Sequence, residues 1–143
     1  MEFICIEGLL GFENIHNYRL VEAEEPGPFM WLEAVDADLR FIVAEPGLFW
    51  EDYLPEIPRE DLEAIGVDSV SETRLLVIVT VPCDPLWATG NCFAPIVVCE
   101  ESGRMKQVLL RDGDYPLKAH LFPECVRNRK AGVSGAGTNS TQR

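Results

Sequence analysis

With 143 residues the chain has room for one domain of ordinary size, and 47 % hydrophobic residues are enough to fill its core. Acid outweighs base, 24 Asp and Glu against 12 Lys and Arg, and the resulting net charge of −12 disfavours direct contact with nucleic-acid phosphates. The longest apolar runs, such as 75–79, are far too short to cross a bilayer.

Short β-like runs separated by turn signals dominate the chain. The first is 3–6, followed by a turn bearing Gly8 and Gly11. A second, 18–23, closes on Glu24, Glu25 and the breaker Pro26-Gly27-Pro28. Runs 29–35 and 39–44 flank the turn residues Asp36 and Asp38, and Pro46-Gly47 ends the fourth run. Pro58 suits the first position of a helix over 58–66: Glu60 and Asp61 favour its N-terminal dipole, Leu62 and Ile65 share a face, and Gly66 suits the residue after its end. The run 74–81 is rich in β-branched residues and fits a strand buried on both faces. Runs 94–99 and 105–110 flank Glu100-Glu101-Ser102-Gly103 as a hairpin, with Pro95 where a missing N–H is tolerable. Asp112-Gly113-Asp114 makes a further turn.

Many short strands and one short helix predict an all-β fold, a small barrel or a sandwich. From 124 to 143 the composition turns to Gly, Ser, Thr and basic residues, which predicts a disordered tail after a domain at 1–123. The charge divides the same way. Residues 1–123 carry 8 basic and 23 acidic side chains, a net of −15, while the tail sets Arg127, Arg129, Lys130 and Arg143 against Glu124 alone. So acidic a body attracts a basic partner and speeds the encounter, although solubility is the plainer account of the same charge. Glu2 and Glu7 interrupt the first ten residues, and no basic lead precedes them. That stretch does not read as a signal peptide, so the bacterial cytoplasm is the expected compartment.

Catalytic patterns are scarce. The five cysteines, Cys5, Cys83, Cys92, Cys99 and Cys125, form no CxxC pair and read as free buried thiols in a reducing compartment; no metal site or cofactor is expected. His16 and His120 lie far apart, and Gly132 to Ala136 only approximates a nucleophile elbow. Asn139-Ser140-Thr141 is a glycosylation sequon without meaning unless the chain is secreted. Glu33 and Glu45 are the plausible carboxylates for a small hydrolase, against the plainer reading of outward-facing strand residues. Aromatic residues say more. Alternation along Phe49-Trp50-Glu51-Asp52-Tyr53 assigns Phe49 and Tyr53 to the core and leaves Trp50 open. Trp50 and Trp87, in Pro-bounded loops, are candidate interface anchors or rings folded back over the barrel end.

Taken together, these segments resemble the FliW family of bacterial flagellar assembly factors. Gly8-Leu9-Leu10-Gly11-Phe12-Glu13 resembles the family's GLPGFE, with Leu10 for proline. Residues Pro28 to Asp36 are similar to PFxWLQSVD, with Glu33-Ala34 for Gln-Ser. Leu39 to Val43 resembles LAFVV, Tyr53 to Pro58 resembles YxPxLP, Asn91 to Val98 resembles NLxAPIVI, and Gly103 to Leu110 resembles GKQVVL. Tyr115-Pro116 matches the family's YP, and Ala119-His120-Leu121 departs from its RHPL. The resemblance implies a small β-barrel that is not an enzyme, that binds and antagonises the translational regulator CsrA, and that binds flagellin. Loss of the regulator contact would leave a chaperone-like adaptor for flagellin alone. Partner-binding residues expected on this basis are Glu22, Glu24, Glu25, Trp50, Trp87, Asn91 and Tyr115. The family opens with a further strand pair before the GLPGFE segment, whereas seven residues precede Gly8 here. An unpaired sheet edge is therefore expected near the start.

Overall fold

In the computed structural model, residues 1–111 and 115–128 are described; the turn expected at 112–114 and the tail from 129 onward lie outside them. Strand β1 (Glu2–Ile6) is followed by β2 (Asn17–Glu22), β3 (Phe29–Ala34) and β4 (Arg40–Ala44). Helix α1 (Arg59–Ala64) leads into β5 (Arg74–Thr80), and then come β6 (Thr89–Gly90), β7 (Ile96–Cys99), β8 (Arg104–Gln107) and β9 (Ala119–His120). The strands follow the order β4-β3-β2-β1-β8-β7-β5, and β5 pairs back onto β4 to close a seven-stranded barrel. Closure removes the sheet edges that an open sheet would have to protect. Strands β6 and β9 extend from the C-terminal half of β5 as a short flap.

The edge expected near the start is not there. β1 pairs antiparallel with β2 through Phe3 and Tyr18, and parallel with β8 through Cys5 and Met105. The parallel pairing is the seam that joins the two ends of the sheet, which is why the first strand is occupied on both sides.

Side-chain alternation separates an inner wall from an outer one. Phe3, Cys5, Tyr18, Met30, Leu32, Val43, Leu76, Ile96, Val98 and Met105 fill the barrel interior. The outer face of β5, β7 and β8 is covered by Leu62, Ile65 and Val67 from α1 and its exit, packed on Val97, Cys99, Val108 and Leu110. A second outer cluster packs Ala88, Leu121, Phe49 and Trp50 onto Ala44, Val77 and Val79. All four residues of β7 are consequently buried. β5 is buried on both faces through its middle, as its β-branched run predicts, but exposes Thr80.

Local chemistry accounts for the boundaries. Pro58 caps α1 rather than opening it: its ψ of 144° is extended, and its carbonyl accepts from Asp61 and Leu62 N–H. Gly66 at φ 85° follows the helix, with its N–H on Glu63 O and Val67 N–H on Leu62 O, a Schellman motif closed by contact of Val67 with Leu62. The β7–β8 hairpin turns through residues 100–103, with Gly103 at φ 72°. Its strands are shorter than expected, because beyond the ladder only alternate bonds persist, Val108 N–H to Pro95 O and Leu110 N–H to Phe93 O. Residues 124–128, read above as the start of the tail, form a helical turn. Of the five free cysteines, Cys5, Cys92 and Cys99 are buried; Cys83 and Cys125 are exposed, contrary to the expectation of burial, because they sit outside the strands.

Candidate partner-binding surface

The acids expected to meet a partner sit on the β2–β3 turn. Glu22 ends β2, Glu24 and Glu25 follow it, and all three are exposed. Strand registers bring Glu45, at the end of β4, and the β7–β8 turn with Glu100 and Glu101 to the same end of the barrel. A cleft of about 170 Å³ opens there, lined by Glu22, Glu25, Glu45, Phe29, Arg74 and the exposed Leu48. Arg74 is already engaged. Its Nε donates to Glu45 Oε2 at 2.6 Å and its Nη1 to Glu100 Oε2 at 3.2 Å. The cleft therefore presents negative potential with an apolar contact at its rim, a surface suited to a cationic partner.

The remaining expected residues gather elsewhere, against the outer wall. Trp50 Nε1 donates to His120 O at 3.0 Å, and the Trp87 ring meets the His120 ring edge-on at 5.8 Å with Arg127 over its face at 4.9 Å. Both tryptophans are half-buried rings folded over the β6–β9 flap. Tyr53 is buried, as alternation predicts, and its hydroxyl donates to Cys92 O at 2.7 Å. Phe49 is only half-buried and stacks on Phe29. Tyr115 packs edge-on against Tyr53 at 4.8 Å. Asn91 Oδ1 accepts from Ala94 N–H at 3.1 Å, which shapes the turn into β7. The structure thus joins Trp50, Trp87, Asn91 and Tyr115 in one packed neighbourhood and sets Glu22, Glu24 and Glu25 apart from them.

The two carboxylates considered for hydrolysis are surface groups in ion pairs. Glu33 points out of β3 toward Arg19 at 3.8 Å and Arg40 at 3.9 Å, and Glu45 is held by Arg74. Among the described residues, no three His, Cys, Asp or Glu side chains converge as a metal site would require, and no helix is long and apolar enough to cross a membrane. Sequence reasoning missed Leu48 and Glu45 as neighbours of the acidic turn. Only the β4 register places them there, although Pro46-Gly47 marks the bend that carries Leu48.

Comparison with known proteins agrees with this architecture. The family description "FliW protein" matches residues 3–121. A flagellar assembly factor FliW of Leptospira interrogans is 40 % identical over 118 residues, covering 81 % of this chain and 79 % of the relative. One from Thermotoga neapolitana is 36 % identical over 133 residues, 92 % of this chain and 89 % of the relative. A crystal structure of the flagellar assembly factor FliW superposes with a TM-score of 0.81 at 30 % identity, covering 86 % of each chain. Match length, identity and shared barrel converge on one conclusion: the chain belongs to the FliW family of flagellar assembly factors.

Proposed function

We propose that this member binds the regulator CsrA and relieves its translational repression, and that it binds flagellin in exchange, which couples flagellin synthesis to filament assembly. The reading rests on family membership together with the acidic cleft at the β2–β3 turn. A basic RNA-binding protein seated against Glu22, Glu24, Glu25 and Glu45 meets complementary charge, while RNA phosphates near the same surface meet repulsion. Such a factor needs no catalytic group, and it acts in the cytoplasm, where its partners are made.

The test is a titration with purified CsrA and with flagellin, first separately and then in competition. Saturable binding of each and displacement of one by the other are expected. For the charge role, the triple variant Glu22→Gln, Glu24→Gln, Glu25→Gln should weaken CsrA binding and flatten its dependence on salt. An affinity indifferent to salt in the unmodified protein removes the charge argument. Binding of flagellin without CsrA reduces the function to that of a flagellin adaptor.

A further inference from the structure

The barrel seam opens into a second groove at the end opposite the acidic turn. β1 accompanies β8 only as far as Ile6 against Lys106. There Glu7 at φ 68° and Gly8 at φ 72° swing the chain out of line. Glu7 is the one non-glycine residue of positive φ among the described residues, and that conformation costs a side chain on the order of 1 kcal/mol. The diversion takes the backbone of β1 away from residues 108–111; at the near end of the gap the Leu10 N–H donates across to Gln107 Oε1 at 2.8 Å. Val108 and Leu110 direct their N–H groups to the β7 side, to Pro95 O and Phe93 O. Leu109, between them, directs its N–H and C=O the other way, and among the described residues no backbone group bonds to either. Its side chain is 48 % exposed and lines the same groove as Leu10, which is 50 % exposed.

The space is substantial, an open groove of about 980 Å³ between the 7–13 loop, α1 and residues 106–111. Its rim is acidic: Glu7, Glu13, Glu60 and Asp61 line it. Of the two basic residues there, Lys106 is taken by Asp61 at 2.5 Å with Glu7 at 3.9 Å, and Arg111 lies 4.0 Å from Glu60. An unpaired backbone edge, exposed leucines beside it and an acidic rim are together what an extended basic peptide requires.

We infer that this groove binds an extended segment of a partner protein, alternating apolar and Lys or Arg side chains, which adds as a strand beside residues 108–111 where β1 leaves off. It is a different surface from the acidic β2–β3 turn, and the inference does not depend on the function proposed for that turn.

A labelled octapeptide alternating valine and lysine, blocked at both ends, tests this by fluorescence anisotropy against the full chain. Saturable binding is expected, weakened at least tenfold when alternate backbone amides of the peptide are N-methylated, and at least tenfold when glutamate replaces lysine. Leu109→Pro removes the free N–H and should weaken binding to a similar degree; Glu7→Lys with Glu60→Lys, which leaves the backbone intact, should do so as well. Equal affinity for the N-methylated peptide overturns strand addition. Equal affinity for the glutamate peptide overturns the basic partner. A dimer of this chain that Leu109→Pro dissolves assigns the edge to a second copy and overturns the proposal too.

Discussion

The two halves of the barrel wall are built differently. Behind β5, β7 and β8, the outer face is roofed by α1, its exit and the aromatic residues after β4, so these strands are buried on both sides. Around β1, β2 and β3 the inner face is buried and, apart from Ile6 and Phe29 at the margins of the roofed clusters, the outer one meets solvent, with Ile4 53 % exposed. Across that bare wall runs a row of alternating charge: Glu2 opposite Arg19, Arg19 opposite Glu33, Glu33 opposite Arg40. The roofed wall draws its stability from apolar burial. On the bare wall, cross-strand pairing and small electrostatic contacts do the work, and that half has surface to spare for partners.

Deleting apolar atoms should expose this contrast most strongly. Ile65 is fully buried between α1 and the roofed strands, so Ile65→Ala is expected to cost about 3 kcal/mol, transfer and cavity terms together. Ile4→Ala, on the bare wall, is expected to stay within about 0.5 kcal/mol. Urea denaturation of the pair measures both, and similar losses would mean that the bare wall is covered in solution, by a second copy or by chain beyond the described residues.

Alkaline pH probes both halves at once. Burial pushes the Cys5 thiol, inside the bare half, up to about 12, and the Cys92 thiol, beside the roofed half, up to about 11. Below pH 9 both thiols are protonated, folded or not, and contribute no pH dependence. As pH rises past 9 the unfolded chain releases these protons while the folded one keeps them, so stability falls with each further unit until the folded pKa is passed. A loss of about 1 kcal/mol per pH unit from each thiol is expected between pH 9 and 11. Cys92→Ala should make that slope shallower. An unchanged slope would assign the loss to Cys5 and to the tyrosines, Tyr18 and Tyr53, whose hydroxyls burial also holds protonated.

The same contrast marks what the sequence could reveal. Each long strand writes its inner face into alternating apolar residues, so six of the nine strands among the described residues sit within two residues of the runs that predict them, and β8 stops three residues short of its run. Gly66 and Pro58 bound the helix through backbone chemistry that needs no tertiary partner. What pairs with what is another matter. The parallel β1–β8 seam depends on residues a hundred positions apart, and nothing in either segment alone specifies it. Strands β6 and β9 are two residues each, too short for any period to show. The acidic turn was visible because its charges adjoin Pro26-Gly27-Pro28. The seam groove was not, because 105–110 reads as one continuous strand. The Glu7-Gly8 turn was the available hint that its neighbour departs halfway.

A smaller effect should come from the barrel interior. The Tyr18 hydroxyl is buried and, among the described residues, lacks a hydrogen-bond partner. Tyr18→Phe removes the desolvated hydroxyl and keeps the ring packed beneath the bare wall. A gain of about 1 kcal/mol is expected in thermal unfolding. A loss of stability would reveal a partner for the hydroxyl, such as a bound water.

The least costly change should be in the charge row itself. Glu33 lies between Arg19 and Arg40, with its side chain 29 % exposed and both separations near the limit of an ion pair, 3.8 and 3.9 Å. Such contacts are worth a few tenths of a kcal/mol each and weaken as salt screens them. Glu33→Gln is therefore expected to cost about 0.5 kcal/mol at low ionic strength and close to nothing in 1 M salt. The variant also leaves Arg40 stacked on Trp31 at 3.9 Å, so the wall keeps that cation–aromatic contact. A cost that persists undiminished at high salt would mean that Glu33 holds the wall by packing or hydrogen bonding rather than by charge. The bare half would then be more rigidly specified than its exposure suggests, and less free to adapt to a partner.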